Sequence, residues 1–311
     1  MTFNDDARLD TSRIGGGGGG GRGGGMIIGG GGGIVGVIAL ILYMLLGGGG
    51  QDQGSAPQQD PANQLNNSRM AGGGQISAAD FSKCKSGKDA NSDDECRIIA
   101  TENSLYDYWT KTYPASVKGN PAWKAPKIVI YSGQTQSACG TASNQVGPFY
   151  CPLDKQIFID ASFYQLLSRR FGSSGGPLAK EYVVAHEYGH AVQDQLGVLD
   201  EAQKDPQGPA SGGVRVELMA DCFAGMWVKD ASTTKDANGT TLLQPVSQQD
   251  IKDALSAASA VGDDTIQKKV QGRVSPENFT HGTAEQRMRW FMNGYSSQNI
   301  NSCNTLRAGT L

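Results

Sequence analysis

The sequence predicts an α+β fold, mainly helical with a small β-sheet, preceded by a single N-terminal transmembrane helix. Three observations support this expectation: helical patterns at residues 178–196 and 214–228, short β-type runs at residues 127–131 and 156–160, and an uncharged stretch at residues 26–46. The helical patterns repeat their apolar residues every three to four positions. The short runs, KIVIY and QIFID, are rich in β-branched and aromatic residues and are separated by a turn-rich segment.

The N-terminal region differs in composition from the rest of the chain, because 20 of the 44 glycines in the chain lie within the first fifty residues. Residues 1–25 offer too little apolar surface to offset backbone entropy, so we expect a Gly-rich disordered head. Residues 26–46 carry no charge and are long enough for one helix across a bilayer core of about 30 Å. A cleaved signal peptide is the alternative, since the continuously apolar part is short. Residues 47–76 are rich in Gln, Asn, Gly, Ser and Pro and predict a flexible linker to a domain at 77–311.

Charged residues and cysteines indicate the cellular compartment of this domain. Arg8, Arg13 and Arg22 precede the apolar stretch, and the next basic residue is Arg69, so we expect a cytoplasmic N-terminus and an exported domain. Six cysteines point to an oxidising compartment, with free thiols in a reducing cytosol as the alternative. Of the 15 pairings that six cysteines allow, we favour Cys84–Cys96, Cys139–Cys151 and Cys222–Cys303. The net charge of −3 gives no basic footprint for nucleic acid.

Residues 178–196 read LAKEYVVAHEYGHAVQDQL and predict one long helix without interior proline. His186 and His190 lie four positions apart, so both imidazoles project from one face and are able to bind one Zn²⁺ at about 2.0–2.1 Å. Glu187 lies beside them, where its carboxylate is suited to take a proton from zinc-activated water as a general base. The alternative interpretation is an ordinary polar helix surface.

A catalytic zinc usually has three protein ligands, and the second helical pattern, VRVELMADCFAGMWV, contains two acidic residues in an apolar setting. A buried carboxylate is costly unless a metal or a hydrogen bond compensates it. We therefore expect Glu217 to be the third metal ligand and Asp221, one turn later, to accept the free N–H of a ligating histidine. An amphipathic helix with exposed acids is the alternative.

The third histidine of the chain, His281, precedes a predicted helix that Thr283 caps together with Gln286. This position favours a side chain directed into a cleft. We expect His281 to stabilise the oxyanion of a tetrahedral intermediate, with a purely structural role as the alternative.

The segments HEYGH and VELMADCFAG, with GPFYCPLDKQIFID upstream and HGTAEQR downstream, resemble the putative neutral zinc metallopeptidase family of bacterial membrane proteins. The resemblance implies a zincin-like metallopeptidase domain, with Glu217 as third ligand in addition to His186 and His190 and with Glu187 as the catalytic carboxylate. It also implies that the edge strand of the sheet, QIFID or GPFYC, holds an extended peptide by main-chain hydrogen bonds.

We therefore expect a zinc metalloendopeptidase that is anchored in the inner membrane by one N-terminal helix and acts on peptide or protein substrates in the periplasm or outside the cell. Two other functions remain open. One is a zinc-stabilised binding or scaffolding module without catalysis, and the other is a zinc amidase acting on a non-peptide or cell-wall amide. The sequence leaves the oligomeric state open.

Overall fold

A computed structural model describes residues 1–16, 78–144 and 146–311 of the protein. Its strands are β1 (Ile14–Gly16), β2 (Lys127–Tyr131), β3 (Gln134–Ser137), β4 (Gly140–Ser143), β5 (Phe149–Cys151) and β6 (Gln156–Asp160). Its α-helices are α1 (Gly87–Ser92), α2 (Asp94–Ser116), α3 (Phe163–Phe171), α4 (Pro177–Leu196), α5 (Glu201–Lys204), α6 (Gly212–Asp230), α7 (Gln248–Ala260), α8 (Asp263–Gln271) and α9 (Ala284–Ser297). Short 3₁₀ helices lie at Ala78–Lys83, Ala231–Thr233, Pro276–Asn278, Ile300–Cys303 and Thr305–Arg307. The expected α+β architecture, mainly helical with a small sheet, is confirmed.

Four strands form one sheet in the order β1-β2-β6-β5, and β3 pairs with β4 in a separate antiparallel hairpin. β1, β2 and β6 are mutually parallel, whereas β5 runs antiparallel to β6 at one edge. The two predicted β-type runs are confirmed as β2 and β6 with the expected bounds. Ile128 and Ile157 face the helical core, while Val129 and Phe158 pack in a smaller cluster with Ala142 of the hairpin. Both faces of the sheet are therefore covered, which explains why the central residues of β2 and β6 are all apolar.

The two predicted helices at residues 178–196 and 214–228 are confirmed as α4 and α6, and they cross closely in the core. At their crossing, a Cβ atom added to Gly189 would lie 3.0 Å from the Cα atom and the carbonyl oxygen of Ala220. α6 packs still more closely against α9, where a Cβ atom on Gly225 would overlap the backbone of Phe291. Small residues at both crossings bring the three helix backbones together and set the geometry of the side chains between them.

The three favoured disulfides are present as Cys84–Cys96, Cys139–Cys151 and Cys222–Cys303. The first two close short loops with a sequence separation of 12, and the third joins α6 to the C-terminal region with a separation of 81. Restricting the unfolded chain in this way stabilises the fold by about 3 kcal/mol for each short loop and about 4.5 kcal/mol for the long one.

The expectation of a disordered head is wrong for residues 1–16. These residues pack on the domain, with Phe3 and Ala7 buried in its core and Ile14 buried on β1. The glycine run on which the expectation depended begins at Gly15. The residues before it include apolar side chains, and composition alone does not show that these side chains pack on a distant part of the chain.

The rest of the predicted head, the apolar stretch 26–46 and the predicted linker 47–76 lie outside the described residues. Among the helices in the described parts of the chain, none combines the length and apolar character needed to cross a membrane.

Candidate metal centre

Two histidines lie on one face of α4. The helix begins with Pro177 at its first position and ends at Leu196, and the next residue, Gly197, has a φ of 69°, the left-handed conformation that terminates many helices. His186 and His190 are both buried, and their ring centroids are 4.8 Å apart. The four-residue spacing therefore places both imidazoles together, as helix geometry requires.

Glu217 on α6 approaches both imidazoles. Ser211 caps the start of this helix by accepting a hydrogen bond from a first-turn N–H. Glu217 Oε2 lies 3.1 Å from His186 Nε2, and Glu217 Oε1 lies 3.6 Å from His190 Nε2. The structure thus brings together the three residues expected as metal ligands, with one potential ligand atom from each within 4.8 Å of the others.

Unpartnered atoms in this cluster indicate whether zinc fits it. Among the described residues, His190 Nε2 and Glu187 Oε2 are buried without a hydrogen-bond partner, which costs about 1–3 kcal/mol for each group unless something else satisfies it. Tetrahedral ligands at about 2.0–2.1 Å from Zn²⁺ are about 3.3 Å apart, and the observed nitrogen–oxygen distances of 3.1 and 3.6 Å bracket that value. Two imidazoles and one carboxylate are also the ligand set of a catalytic zinc with an open fourth position. The residues present therefore fit a zinc ion.

Asp221 orients His186, as the sequence suggested. Its Oδ1 atom lies 2.8 Å from His186 Nδ1, so the ring presents Nε2 to the cluster. Arg287 donates from Nε to Asp221 Oδ2 at 2.9 Å and from Nη2 to Oδ1 at 3.0 Å, and the hydroxyl of Tyr182 also donates to Asp221. Burial favours a raised pKa for Asp221, but Arg287 and His186 outweigh it and hold that pKa well below its usual range.

Arg287 and Tyr182 were not identified from the sequence. A signal for Arg287 was present, because it lies three and four positions before Trp290 and Phe291 on α9, and both of these aromatic residues are buried. A charged residue on the buried face of a helix needs a partner of opposite charge. Arg287 is itself buried, and its partner is Asp221.

Gln193, also missed, orients the second histidine. Its Oε1 atom lies 2.8 Å from His190 Nδ1, and its amide nitrogen donates to the backbone carbonyl of Val216 on α6. The glutamine thereby leaves His190 Nε2 directed at the cluster. Its sequence signal was the position three residues after His190, which is on the same face of the helix.

Burial and neighbouring charges give the cluster unusual pKa values. Burial lowers the pKa of His190 to about 4. For His186 burial also favours the neutral ring, but Asp221 and Glu217 outweigh it and raise the pKa to about 9. For Glu217 burial favours the neutral acid, but His190 and His186 outweigh it and lower the pKa to about 2. In the absence of metal, a proton on His186 therefore supplies positive charge between two carboxylates at neutral pH.

Glu187 lies between this cluster and the edge strand β5. Burial raises the pKa of Glu187 to about 8, and the opposing effects of His186 and of the nearby backbone N–H of Tyr150 are smaller. The hydroxyl of Tyr150 donates to Asp194 Oδ2 at 2.6 Å, which fixes β5 along α4. The edge strand is therefore GPFYC, whereas QIFID is an interior strand paired on both sides. A buried carboxylate with one free oxygen beside a set of metal ligands is suited to accept a proton.

His281 lies in the loop before α9 and is buried. Asp263 anchors this loop, since its Oδ2 accepts from the backbone N–H groups of Thr280 at 2.8 Å and His281 at 2.6 Å, while its Oδ1 lies 3.2 Å from His281 Nδ1. His281 is close enough for its charge to contribute to the lowered pKa of Glu217. Among the described residues, His281 makes no direct hydrogen bond to His186, His190 or Glu217.

Comparison with known proteins places these residues in a family context. The sequence profile of the family described as "Putative neutral zinc metallopeptidase" matches residues 4–306. The chain is similar to a Mycobacterium tuberculosis protein named "Uncharacterized protein Rv2575", with 50% identity over 233 residues that cover 75% of this chain and 77% of the relative. It is also similar to the Escherichia coli protein "Uncharacterized protein YpfJ", with 39% identity over 215 residues that cover 67% of this chain and 69% of the relative. No solved structure matches the chain.

Proposed function

The chain belongs to the putative neutral zinc metallopeptidase family, and on this premise we propose that it is a zinc-dependent endopeptidase with a zincin-like catalytic domain. The observation that carries the proposal is the convergence of His186, His190 and Glu217 beside the buried carboxylate of Glu187. Zinc held by these three ligands would act as a Lewis acid that activates water and polarises the scissile carbonyl.

The protein residues around the ligands have distinct roles in this proposal. Glu187 accepts the proton of the attacking water on its unpartnered Oε2 and later delivers it to the leaving amine. Asp221 and Gln193 hold the two imidazoles with Nε2 directed at the metal position. His281, with its Nδ1 accepting from the hydroxyl of Thr280 at 2.6 Å, supplies Nε2–H as the donor that stabilises the oxyanion.

A peptide substrate is favoured by the position of β5. This strand is at the edge of the four-stranded sheet, and the backbone N–H of Tyr150 is close enough to Glu187 to influence its pKa. An extended peptide that pairs with such an edge places its own backbone next to the catalytic carboxylate. Substrate recognition would then depend on main-chain hydrogen bonds more than on one particular side chain.

We also propose that the domain acts outside the cytoplasm, close to the inner membrane. Three disulfides among the described residues support an oxidising compartment.

The test uses the full chain, purified in detergent and loaded with one equivalent of zinc. Glu187→Gln should retain zinc while peptide hydrolysis falls by roughly 10²–10⁴-fold, because it removes only the base. Glu285→Gln, at an exposed position on α9, is the matched control and should keep full activity. Wild-type turnover in Glu187→Gln would exclude the proposed role.

The products distinguish the two other candidate functions. Mass spectrometry of a peptide library should show cleavage at backbone amides that chelation abolishes. Release of fragments from cell-wall material with an intact peptide library would indicate an amidase. Absence of turnover on both, with zinc bound, would indicate a binding module.

A further inference from the structure

Residues 1–16 complete the sheet of the metallopeptidase domain. β1 pairs in parallel with β2, with Ile14 opposite Ile128 and Gly15 opposite Val129. The backbone N–H of Ile128 also donates to the carbonyl of Arg13. Without β1, the polar groups along this side of β2 would lose their partners, and an unpaired sheet edge is a template for other strands.

The first residues of the segment lie in a groove beside α1. Phe3 is buried, and its backbone N–H and carbonyl each form a 2.9 Å hydrogen bond with the side chain of Asn91. Gly87, the first residue of α1, has no side chain at the point of contact, and a Cβ atom there would overlap the backbone carbonyl of Asn4. The N–H of Gly87 donates to the carbonyl of Ala7 at 2.8 Å. The groove thus fits this segment at the level of backbone atoms.

A partly buried ion pair links the segment to α2 and, through it, to α4. Arg13 Nε lies 2.7 Å from Glu102 Oε1, and the carboxylate of Glu102 has no solvent exposure. The same Oε1 atom accepts a hydrogen bond at 3.4 Å from the hydroxyl of Tyr188, which is the residue between Glu187 and Gly189 in α4. A buried carboxylate whose cationic partner is removed is strongly destabilised. Arg13 therefore supports the packing of the helix that carries both histidines.

We propose that residues 1–16 are a constitutive part of the metallopeptidase domain, seated in the groove beside α1 and on the free edge of β2, and that they lie on the same side of the membrane as the metal centre. The family profile supports this, because its match begins at residue 4 and includes nearly all of the segment. A single membrane crossing at residues 26–46 would separate the segment from its groove. This inference replaces the expected cytoplasmic N-terminus and does not depend on peptidase activity.

One glycine offers a direct test of the docking. In the full chain, Gly87→Ala should lower the thermal midpoint by roughly 4–8 °C, because the new methyl group displaces backbone atoms of Asn4. Gly309→Ala, where a Cβ atom would meet nothing within 4 Å, is the matched control and should leave the midpoint unchanged. If residues 1–16 were not docked, alanine at the start of α1 would be neutral or stabilising, and that result would overturn the proposal.

Membrane sidedness is tested independently of stability. Ser12→Cys and Gln248→Cys place single thiols at exposed positions of the segment and of α7, and a membrane-impermeant maleimide is added to intact and lysed cells. Both thiols should react under the same condition. Reaction of one in intact cells and of the other only after lysis would place them on opposite sides of the membrane and refute the inference.

Discussion

Replacing Arg287 with methionine removes the cation that Asp221 contacts while keeping a long apolar side chain. The guanidinium makes hydrogen bonds of 2.9 and 3.0 Å to the two oxygens of Asp221, and both residues are buried. Without it, the carboxylate retains only the hydroxyl of Tyr182 and the Nδ1 atom of His186. The negative charge of Asp221 is then only partly compensated in the core, and its carboxylate is held less firmly against His186.

The contacts indicate two measurable effects. Breaking one side of a buried, hydrogen-bonded ion pair costs about 3–5 kcal/mol of folding free energy. Disturbing the carboxylate that orients a ligating histidine weakens metal binding by roughly 10- to 100-fold. Since Arg287 does not contact the ligand atoms of the cluster, any loss of zinc affinity must pass through Asp221 and His186.

Zinc affinity is measured by competition with a chromophoric chelator on the folded full chain, and stability by urea denaturation. Arg287→Lys should recover part of both quantities, because it restores the charge but only as a single point donor. Arg289→Met, at an exposed position on the same helix, should change neither. A folded Arg287→Met protein that binds zinc as tightly as the wild type would refute this reasoning.

Three further outcomes follow from the same geometry. Gly189→Ala adds a methyl group 3.0 Å from the backbone of Ala220, so it should separate α4 from α6, cost about 1–3 kcal/mol in urea denaturation and weaken zinc binding. Unchanged zinc affinity would show that the close crossing is unnecessary for the site. Gln193→Leu removes the acceptor of His190 Nδ1 and should weaken zinc binding at least about tenfold in the same competition assay, whereas unaltered binding would contradict its orienting role. Because His186, with a pKa of about 9, is protonated at neutral pH and must lose that proton to bind metal, zinc affinity should rise by nearly tenfold per pH unit from about pH 6 to 8; an affinity independent of pH would contradict this.

Elements with strong local signals were predictable from the sequence. The helix around HEYGH has a regular apolar repeat and no interior proline, and its bounds were expected within one residue. The capping box of Thr283 and Gln286 is formed at the start of α9 as expected. Glu217 was identified because a carboxylate in an apolar helix needs a partner. The close spacing of Cys84 with Cys96 and of Cys139 with Cys151 indicated two of the three disulfides. These are local patterns.

Features that depend on distant contacts were not predictable. The segment 1–16 is ordered by groups far away in the chain, such as the hydrogen bond from Asn4 Nδ2 to the carbonyl of Thr241, and its composition carries no sign of them. The choice between QIFID and GPFYC as edge strand depended on the order of strands in the sheet, which hydrophobic patterns do not specify.

Zinc K-edge X-ray absorption on the purified full chain with one equivalent of zinc tests the metal centre most directly. The expected spectrum has two imidazole nitrogens and carboxylate or water oxygens at about 2.0–2.2 Å, without sulfur. Glu217→Gln should lower zinc affinity and alter the oxygen shell, whereas Glu277→Gln, at an exposed position, should do neither. Sulfur in the first shell, or a wild-type spectrum and affinity in Glu217→Gln, would contradict the assignment of His186, His190 and Glu217 as the zinc ligands.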